Sequence, residues 1–157
     1  MKPSWPENWE QLRRGVGCAM CDSTRPDVDA YGIRIKATDL TDAVLQRARV
    51  QPGYTVVIWR GRHVNEPTEL SDDEASLYWR DVLAAARALI EYYKPIKMNY
   101  ETLGNSLPHL HTHLIPRYKE DPAPGRPFPL LPLDGSEPQV PQRQLQEDAE
   151  ALRALLA

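Results

Sequence analysis

The chain has 157 residues, of which 41% are hydrophobic and 26% charged, enough for one domain that buries a core without needing disulfides. Its net charge of −3 and sequence pI of about 5.8 disfavour duplex DNA and anionic membranes as main partners, since both select a basic excess. Its apolar runs fall well short of the roughly 20 residues of a membrane span, and Met1–Glu7 has no apolar signal region, so a cytoplasmic setting is expected.

Trp5–Arg13 is a candidate short helix. Cys18 and Cys21, the only two cysteines, are spaced C-x-x-C. A disulfide between them would close a tiny loop and constrain little of the unfolded chain. The flanking residues, from Gly15 to Pro26, read as a loop, whereas a thioredoxin-like pair belongs between a strand and a helix. A redox pair, half of a tetrahedral zinc site, and two unconnected thiols all fit this segment taken alone.

Asp29–Thr38 alternates around Tyr31, Ile33 and Ile35 and predicts a strand. Asp42–Val50 is a weaker strand, with Val44, Ala48 and Val50 on one parity. Gln51-Pro52-Gly53 is a turn, and Tyr54–Trp59 is rich enough in β-branched and aromatic residues for a central strand. The short connections predict an antiparallel meander. Ser71 and Glu74 form a capping box, and the following helix should run to about Tyr93, where Pro95 ends it. Its buried stripe is expected to be Ala75, Tyr78, Trp79, Val82, Ala86, Leu89 and Ile90. Ile96–Leu103 predicts another strand, Gly104-Asn105 a turn, and His109–Tyr118 a strand paired with the one before it.

Residues 1–120 are therefore expected to form one domain, with 121–157 as an extension. Asp121–Pro141 holds seven of the fifteen prolines, which excludes helix and central strand. It reads as an extended arm, with Phe128, Leu130 and Leu131 as candidates for pinning to the body. Gln142–Ala157 predicts a terminal helix with an apolar face of Leu145, Leu152, Leu155 and Leu156. This C-terminal arm is expected to be either disordered or packed on a partner subunit.

Three of the four histidines, His109, His111 and His113, occupy alternate positions. On a strand their side chains share one face. Packing explains such a row poorly, because three imidazoles bring three sets of ring nitrogens to satisfy. Two chemistries fit. Imidazoles at i and i+2 can share a transition metal, as in cupin-like barrels, which would want a downstream carboxylate; Glu120, at a loop edge, is the nearest. Alternatively, one neutral imidazole is a nucleophile held in a single tautomer by its neighbours. Its attack on phosphorus gives a phosphoramidate that water then cleaves.

His109-Leu110-His111-Thr112-His113-Leu114-Ile115 resembles the H-φ-H-φ-H-φ-φ signature of the histidine triad (HIT) family, with Thr112 where a large apolar residue is usual. Pro52–Ile58 followed by Arg62-His63-Val64 is similar to the family strand PGHTLVIPKRHV, with one extra residue around Trp59-Arg60-Gly61. Leu70-Ser71-Asp72-Asp73-Glu74 resembles its L-[ST]-x-E-E helix start. Asn99 and Gly104-Asn105-Ser106 stand at the places of its Asn and G-Q-[ST]. The likeness covers about residues 18 to 118 and implies an α+β fold: an antiparallel sheet of about five strands, a long helix packed on it, and usually a homodimer.

The resemblance also implies nucleotidyl hydrolysis or transfer on a nucleoside phosphoramidate or dinucleoside polyphosphate, with a purine nucleoside phosphate as partner and neither nucleic acid nor membrane. The family's middle histidine attacks the α-phosphate, so His111 is the implied nucleophile. His113 would bind or polarise phosphate oxygens, Ser106 and Asn105 would hydrogen-bond the phosphate or leaving group, and Asn99 would position the phosphate. Some bacterial members carry an N-terminal C-x-x-C whose structural zinc is completed by the RHV histidine and the first triad histidine. By position these ligands are Cys18, Cys21, His63 and His109, a closed Cys₂His₂ set. Gln46 stands where many members bind ribose with Asp, and Arg47 and Arg49 nearby suit either additional phosphates or a solvated strand face. Asn105 is one methylene shorter than the family Gln, and Asn99 is one residue nearer the triad than usual. Arg117 would reach a phosphate or cap the strand end. The alternatives are a metal-dependent enzyme using the histidine row as ligands, and a non-catalytic zinc-stabilised nucleotide-binding module.

Overall fold

The computed structural model describes residues 4–129 and 136–157. Five strands, β1 (Gly32–Ala37), β2 (Thr41–Gln46), β3 (Thr55–Trp59), β4 (Lys97–Glu101) and β5 (His111–Arg117), form one sheet in the order β1-β2-β3-β5-β4. Every neighbouring pair is antiparallel. Helices α1 (Trp9–Arg13), α2 (Asp72–Tyr93) and α3 (Gln142–Leu155) complete the α+β architecture that the sequence led us to expect.

Strand alternation divides the sheet into a covered face and an open one. Ile33, Ile35, Ala43, Leu45, Val57, Trp59 and Leu114 point to the covered face and merge with Tyr78, Val82 and Leu89 of α2 in the main core. The opposite parity leaves Val44, Gln46, Val56, Ile58, His111 and His113 on the other face. Thr112 belongs to the covered face, which explains its departure from the apolar motif. Its Oγ1 shares hydrogen bonds of 2.8 Å with the Tyr78 hydroxyl and with Thr102 Oγ1, so a polar residue there is satisfied where it is buried.

The capping box of α2 forms as expected: Glu74 N donates to Ser71 Oγ at 3.2 Å, and Ser71 N donates to Glu74 Oε2 at 2.9 Å. The helix closes at Lys94, whose left-handed φ of 50° turns the chain ahead of Pro95. Its buried stripe differs from the sequence pattern. Ala85 and Ala88 are in the core, while Ile90 is 41% exposed. Helix α3 packs along α2 and β1, and its Leu145, Ala149 and Leu152 join Ala85 and Ala88 in the same core cluster.

The C-terminal helix is neither disordered nor left for another subunit. Leu145, Ala149 and Leu152 enter the main core, and Asp148 accepts hydrogen bonds of 2.8 Å from the hydroxyls of both Tyr92 and Tyr93. Leu155, by contrast, is 48% exposed. Phe128 is pinned, packing with Tyr54, Val56 and Ile115 in a second small cluster; Leu130 and Leu131 lie outside the described residues.

Three boundaries moved for identifiable reasons. Pro6 sits in a turn that delivers Trp9 N to its carbonyl, so the first helix starts later than the pattern. Beyond Gln46 the second strand leaves the ladder, because Arg47 N donates to Tyr31 O and Arg49 N to Pro138 O. His109 precedes β5, its amide donating locally to Leu107 O at 2.8 Å. The first histidine of the row is therefore off the strand ladder.

Arg117 caps the sheet end. Its five N–H donors reach Asp121 Oδ2 at 2.6 Å, Asp121 Oδ1 at 3.0 Å, Asn99 Oδ1 at 2.7 Å, Arg126 O at 2.8 Å and Ala123 O at 2.7 Å. That is its full donor inventory, and its guanidinium also lies over the Phe128 ring. Of the two roles open to it, it takes the structural one and straps the loop after β5 back onto β4 and β5.

Candidate active site

A cavity of about 550 Å³ lies on the open face of the sheet. Val44, Val56 and Ile58 form its apolar floor, His111 and His113 stand at one end, and Met20 and Tyr31 come from the loops around it. An apolar cleft with a few convergent polar groups is the usual form of a small-molecule site.

The backbone dictates the protonation of His111. Its Nδ1 is 2.6 Å from the carbonyl oxygen of His109, and a carbonyl can only accept. The proton is on Nδ1, so Nε2 keeps its lone pair. Burial holds the His111 pKa below its ordinary value, so this ring is neutral at pH 7. Burial, reinforced by the His111 ring, also pushes His113 down to about 4. Its Nδ1 lies 2.8 Å from the hydroxyl of Tyr54.

His109 belongs to a different group. Its Nε2 donates to Trp59 O at 2.7 Å, and its Nδ1 faces Cys18 Sγ at 3.4 Å and Cys21 Sγ at 3.5 Å. His63 Nδ1 lies 3.1 Å from Cys21 Sγ. The donor atoms of Cys18, Cys21, His63 and His109 all fall within 4.8 Å of one another, close enough to hold a metal ion. Burial and the adjacent Cys18 push the Cys21 thiol up to about 11, a bias that a bound cation reverses because it favours thiolate. The outer hydrogen bond from His109 to Trp59 O fixes the tautomer a metal ligand needs.

The C-x-x-C turn is tied to the sheet by Arg25. This side chain donates to Met20 O at 2.8 Å, to Asp22 O at 3.3 Å and to the fully buried Asp42 at 2.8 Å. Arg34 and Arg60 converge on the same carboxylate at 3.4 Å and 3.2 Å. Ala19 and Met20, between the two cysteines, line the cavity, so the turn that brings the thiols together also walls the cleft.

The structure gathers the sequence candidates unequally. His111, His113 and Gln46 line one cavity. Gln46 Nε2 donates to Val44 O at 3.0 Å, and its Oε1 has no hydrogen-bond partner among the described residues. Leu107 lines the cavity as well, and the exposed Asn105 and Ser106 are on the loop leading into it. Asn99 is elsewhere: it lines a separate cleft beside β4 and accepts from Arg117. Arg47 does not line the cavity and donates instead to Gln142 and to the carbonyl of Asp29 at the cavity's rim. The three histidines do not converge on a common point, since their Nδ1 atoms face a thiol, a carbonyl and a phenol respectively. This geometry disfavours a shared metal on the row. Residues that sequence reasoning passed over include Arg25, Asp42, Tyr54 and Asp121. Only Tyr54 carried a signal, standing where the similar family strand has histidine.

Comparison with known proteins adds the relationship. The family model of the HIT domain matches residues 29–120. The adenosine 5'-monophosphoramidase hnt1 of Schizosaccharomyces pombe is 26% identical over 129 residues, 78% of this chain and 90% of that protein. The bis(5'-adenosyl)-triphosphatase of Saccharomyces cerevisiae is 30% identical over 84 residues, which is 50% of this chain and 41% of that protein. A histidine triad protein from Bradyrhizobium japonicum shares the fold, with a TM-score of 0.72 at 24% identity over 86% of this chain and 98% of its own.

Proposed function

Because the chain belongs to the HIT domain family, we propose that it is a nucleotide hydrolase or transferase that cleaves at an α-phosphate through a nucleotidyl-histidine intermediate. The observation that carries this reading is the 2.6 Å bond from His111 Nδ1 to the His109 carbonyl, which leaves Nε2 unprotonated beside an apolar cleft. In the proposed reaction the Nε2 lone pair forms a bond to phosphorus, and the bond to the leaving group breaks with its electron pair departing. Water then attacks the phosphorus, releases the nucleoside monophosphate and returns the pair to His111. A neutral nucleophile meets little repulsion from an anionic phosphate, and nearby donors stabilise the charge that develops. His113, Ser106 and Asn105 supply those donors in this reading, and Gln46 Oε1 is the acceptor for a ribose hydroxyl. Asn99 is committed to Arg117 and acts at the sheet end. The phosphoramidase and triphosphatase names of two relatives favour purine nucleoside phosphates as substrates.

We assign one structural zinc to Cys18, Cys21, His63 and His109. Tetrahedral bonds of the usual lengths put sulfur and nitrogen ligands about 3.5 Å apart, and the Cys18–His109, Cys21–His63 and Cys21–His109 donor atoms are 3.4, 3.1 and 3.5 Å apart. Such a closed set would stabilise the fold rather than activate water. A homodimer fits β4, a sheet-edge strand that carries the exposed Tyr100 and is flanked by the exposed Ile96 and Leu103.

The test is turnover of an adenylated fluorogenic phosphoramidate and of diadenosine polyphosphates, with and without chelator. Hydrolysis that survives mild chelation and is lost in His111→Asn supports the nucleophile. Turnover abolished by chelator in a protein that stays folded would transfer the chemistry to a catalytic metal. Tight nucleotide binding without turnover would make the protein a binding module.

A further inference from the structure

We propose that Tyr54 is a positioning residue: its hydroxyl donates to His113 Nδ1 and so holds His113 as the neutral tautomer that carries its proton on Nε2. The proposal rests on the nucleotide-hydrolase reading for its catalytic meaning, but its geometry stands without it.

The two rings are parallel within 5°, with centroids 6.0 Å apart, and Tyr54 Oη lies 2.8 Å from His113 Nδ1. Tyr54 is 4% exposed. Its hydroxyl has no other hydrogen-bond partner among the described residues, so the direction of the bond follows. Were Nδ1 the donor, the phenolic proton would have no acceptor among the described residues at the wall of the cavity that Tyr54 and His113 share, an arrangement that folded proteins avoid. Were the phenol ionised it would accept instead, but burial and the charge of Glu101 both raise its pKa. Tyr54 therefore donates, and the proton of neutral His113 is on Nε2.

The ring of Tyr54 is itself fixed. It packs with Val56, Ile115 and Phe128, and Phe128 is held under the Arg117 guanidinium. The strap after β5 thus fixes the phenol, and the phenol fixes the imidazole. The charged or titratable groups facing His113 are Glu101, its partner in the β4–β5 register, and His111. Two imidazoles on one strand are left in opposite tautomers. His111 presents a lone pair at Nε2, and His113 presents a proton at Nε2. An anionic oxygen beside His113 meets a donor, whereas the other tautomer would confront it with a lone pair.

Tyr54→Phe keeps the ring and deletes the hydroxyl. In wild type, long-range ¹H–¹⁵N correlation spectra should show His113 Nδ1 as an unprotonated acceptor and Nε2 as protonated. In Tyr54→Phe the two nitrogens should move toward a tautomer average, and kcat should fall roughly 10- to 100-fold while KM stays within about twofold. A wild-type His113 protonated on Nδ1 would overturn the assignment without any variant being made. Unchanged nitrogen shifts and unchanged kcat in a folded Tyr54→Phe would also overturn it. If wild type turned over no nucleotide, the functional reading would fall, and the nitrogen spectra would still decide the tautomer.

Discussion

Nδ1 of His111 donates to the backbone carbonyl of His109 at 2.6 Å, while the side chain of His109 turns its own Nδ1 to the two thiols. Residue 109 thus joins the Cys18, Cys21 and His63 cluster with its ring and orients the cavity with its peptide group. The two sites are neighbours in the fold because they are two residues apart in the chain.

Replacing His111 by Asn should cut nucleotide turnover by at least about 10³-fold, with little change in thermal midpoint. Intact-mass measurement after rapid acid-free quenching should find a nucleotidyl adduct in wild type and none in the variant. Turnover within tenfold of wild type would remove His111 from the chemistry.

Cys18→Ser should reduce metal content from about one zinc per chain to near zero and lower the thermal midpoint. Nucleotide affinity should fall with it, because Ala19 and Met20 wall the cavity between the two cysteines. Elemental analysis, a melting scan and a nucleotide titration on the same sample would show whether metal, stability and binding are lost together.

Thr112→Val should destabilise the protein by about 1–3 kcal/mol, the cost of leaving buried hydrogen-bond partners unsatisfied. The change nearly conserves shape but removes a partner from both Tyr78 and Thr102. Tyr78 retains only a longer approach to Val57 O at 3.4 Å. Urea unfolding would measure the loss, and a gain in stability would contradict the account.

Acid should weaken the fold in two stages. His113 has a pKa near 4 when folded and about 6.5 when unfolded. Above pH 6.5 neither state binds the proton, so this group makes stability independent of pH. Between 6.5 and 4 only the unfolded state binds it, so stability falls as pH falls. Asp121, held below its ordinary value by Arg117, adds a further loss below about pH 4. Melting curves across this range should show a shallower first stage in His113→Asn.

Much of the site was legible because its elements depend on local pattern. Alternation fixed the parity of His111 and His113, and the Ser71–Glu74 box marked the start of α2. The C-x-x-C pair and the histidine row stood out by residue type and spacing, while their union with His63 in one ligand set came only from the family resemblance. What escaped depends on contacts distant in sequence. Nothing near Asp42 announces that Arg25, Arg34 and Arg60 will meet on it. Ala85 and Ala88 share their apolar cluster with Leu145, Ala149 and Leu152 of α3, some sixty residues on in the chain. The donors of Arg117 are committed to a loop whose prolines read only as an extended arm.

The late place of α3 in the chain has a consequence for how the molecule is made. Leu145, Ala149 and Leu152 belong to the same apolar cluster as Ile33 and Ile35 of β1. During synthesis the first strand leaves the ribosome more than a hundred residues ahead of the side chains that cover it. Until then the nascent sheet carries bare hydrocarbon, a window in which holdase chaperones have a defined surface to bind.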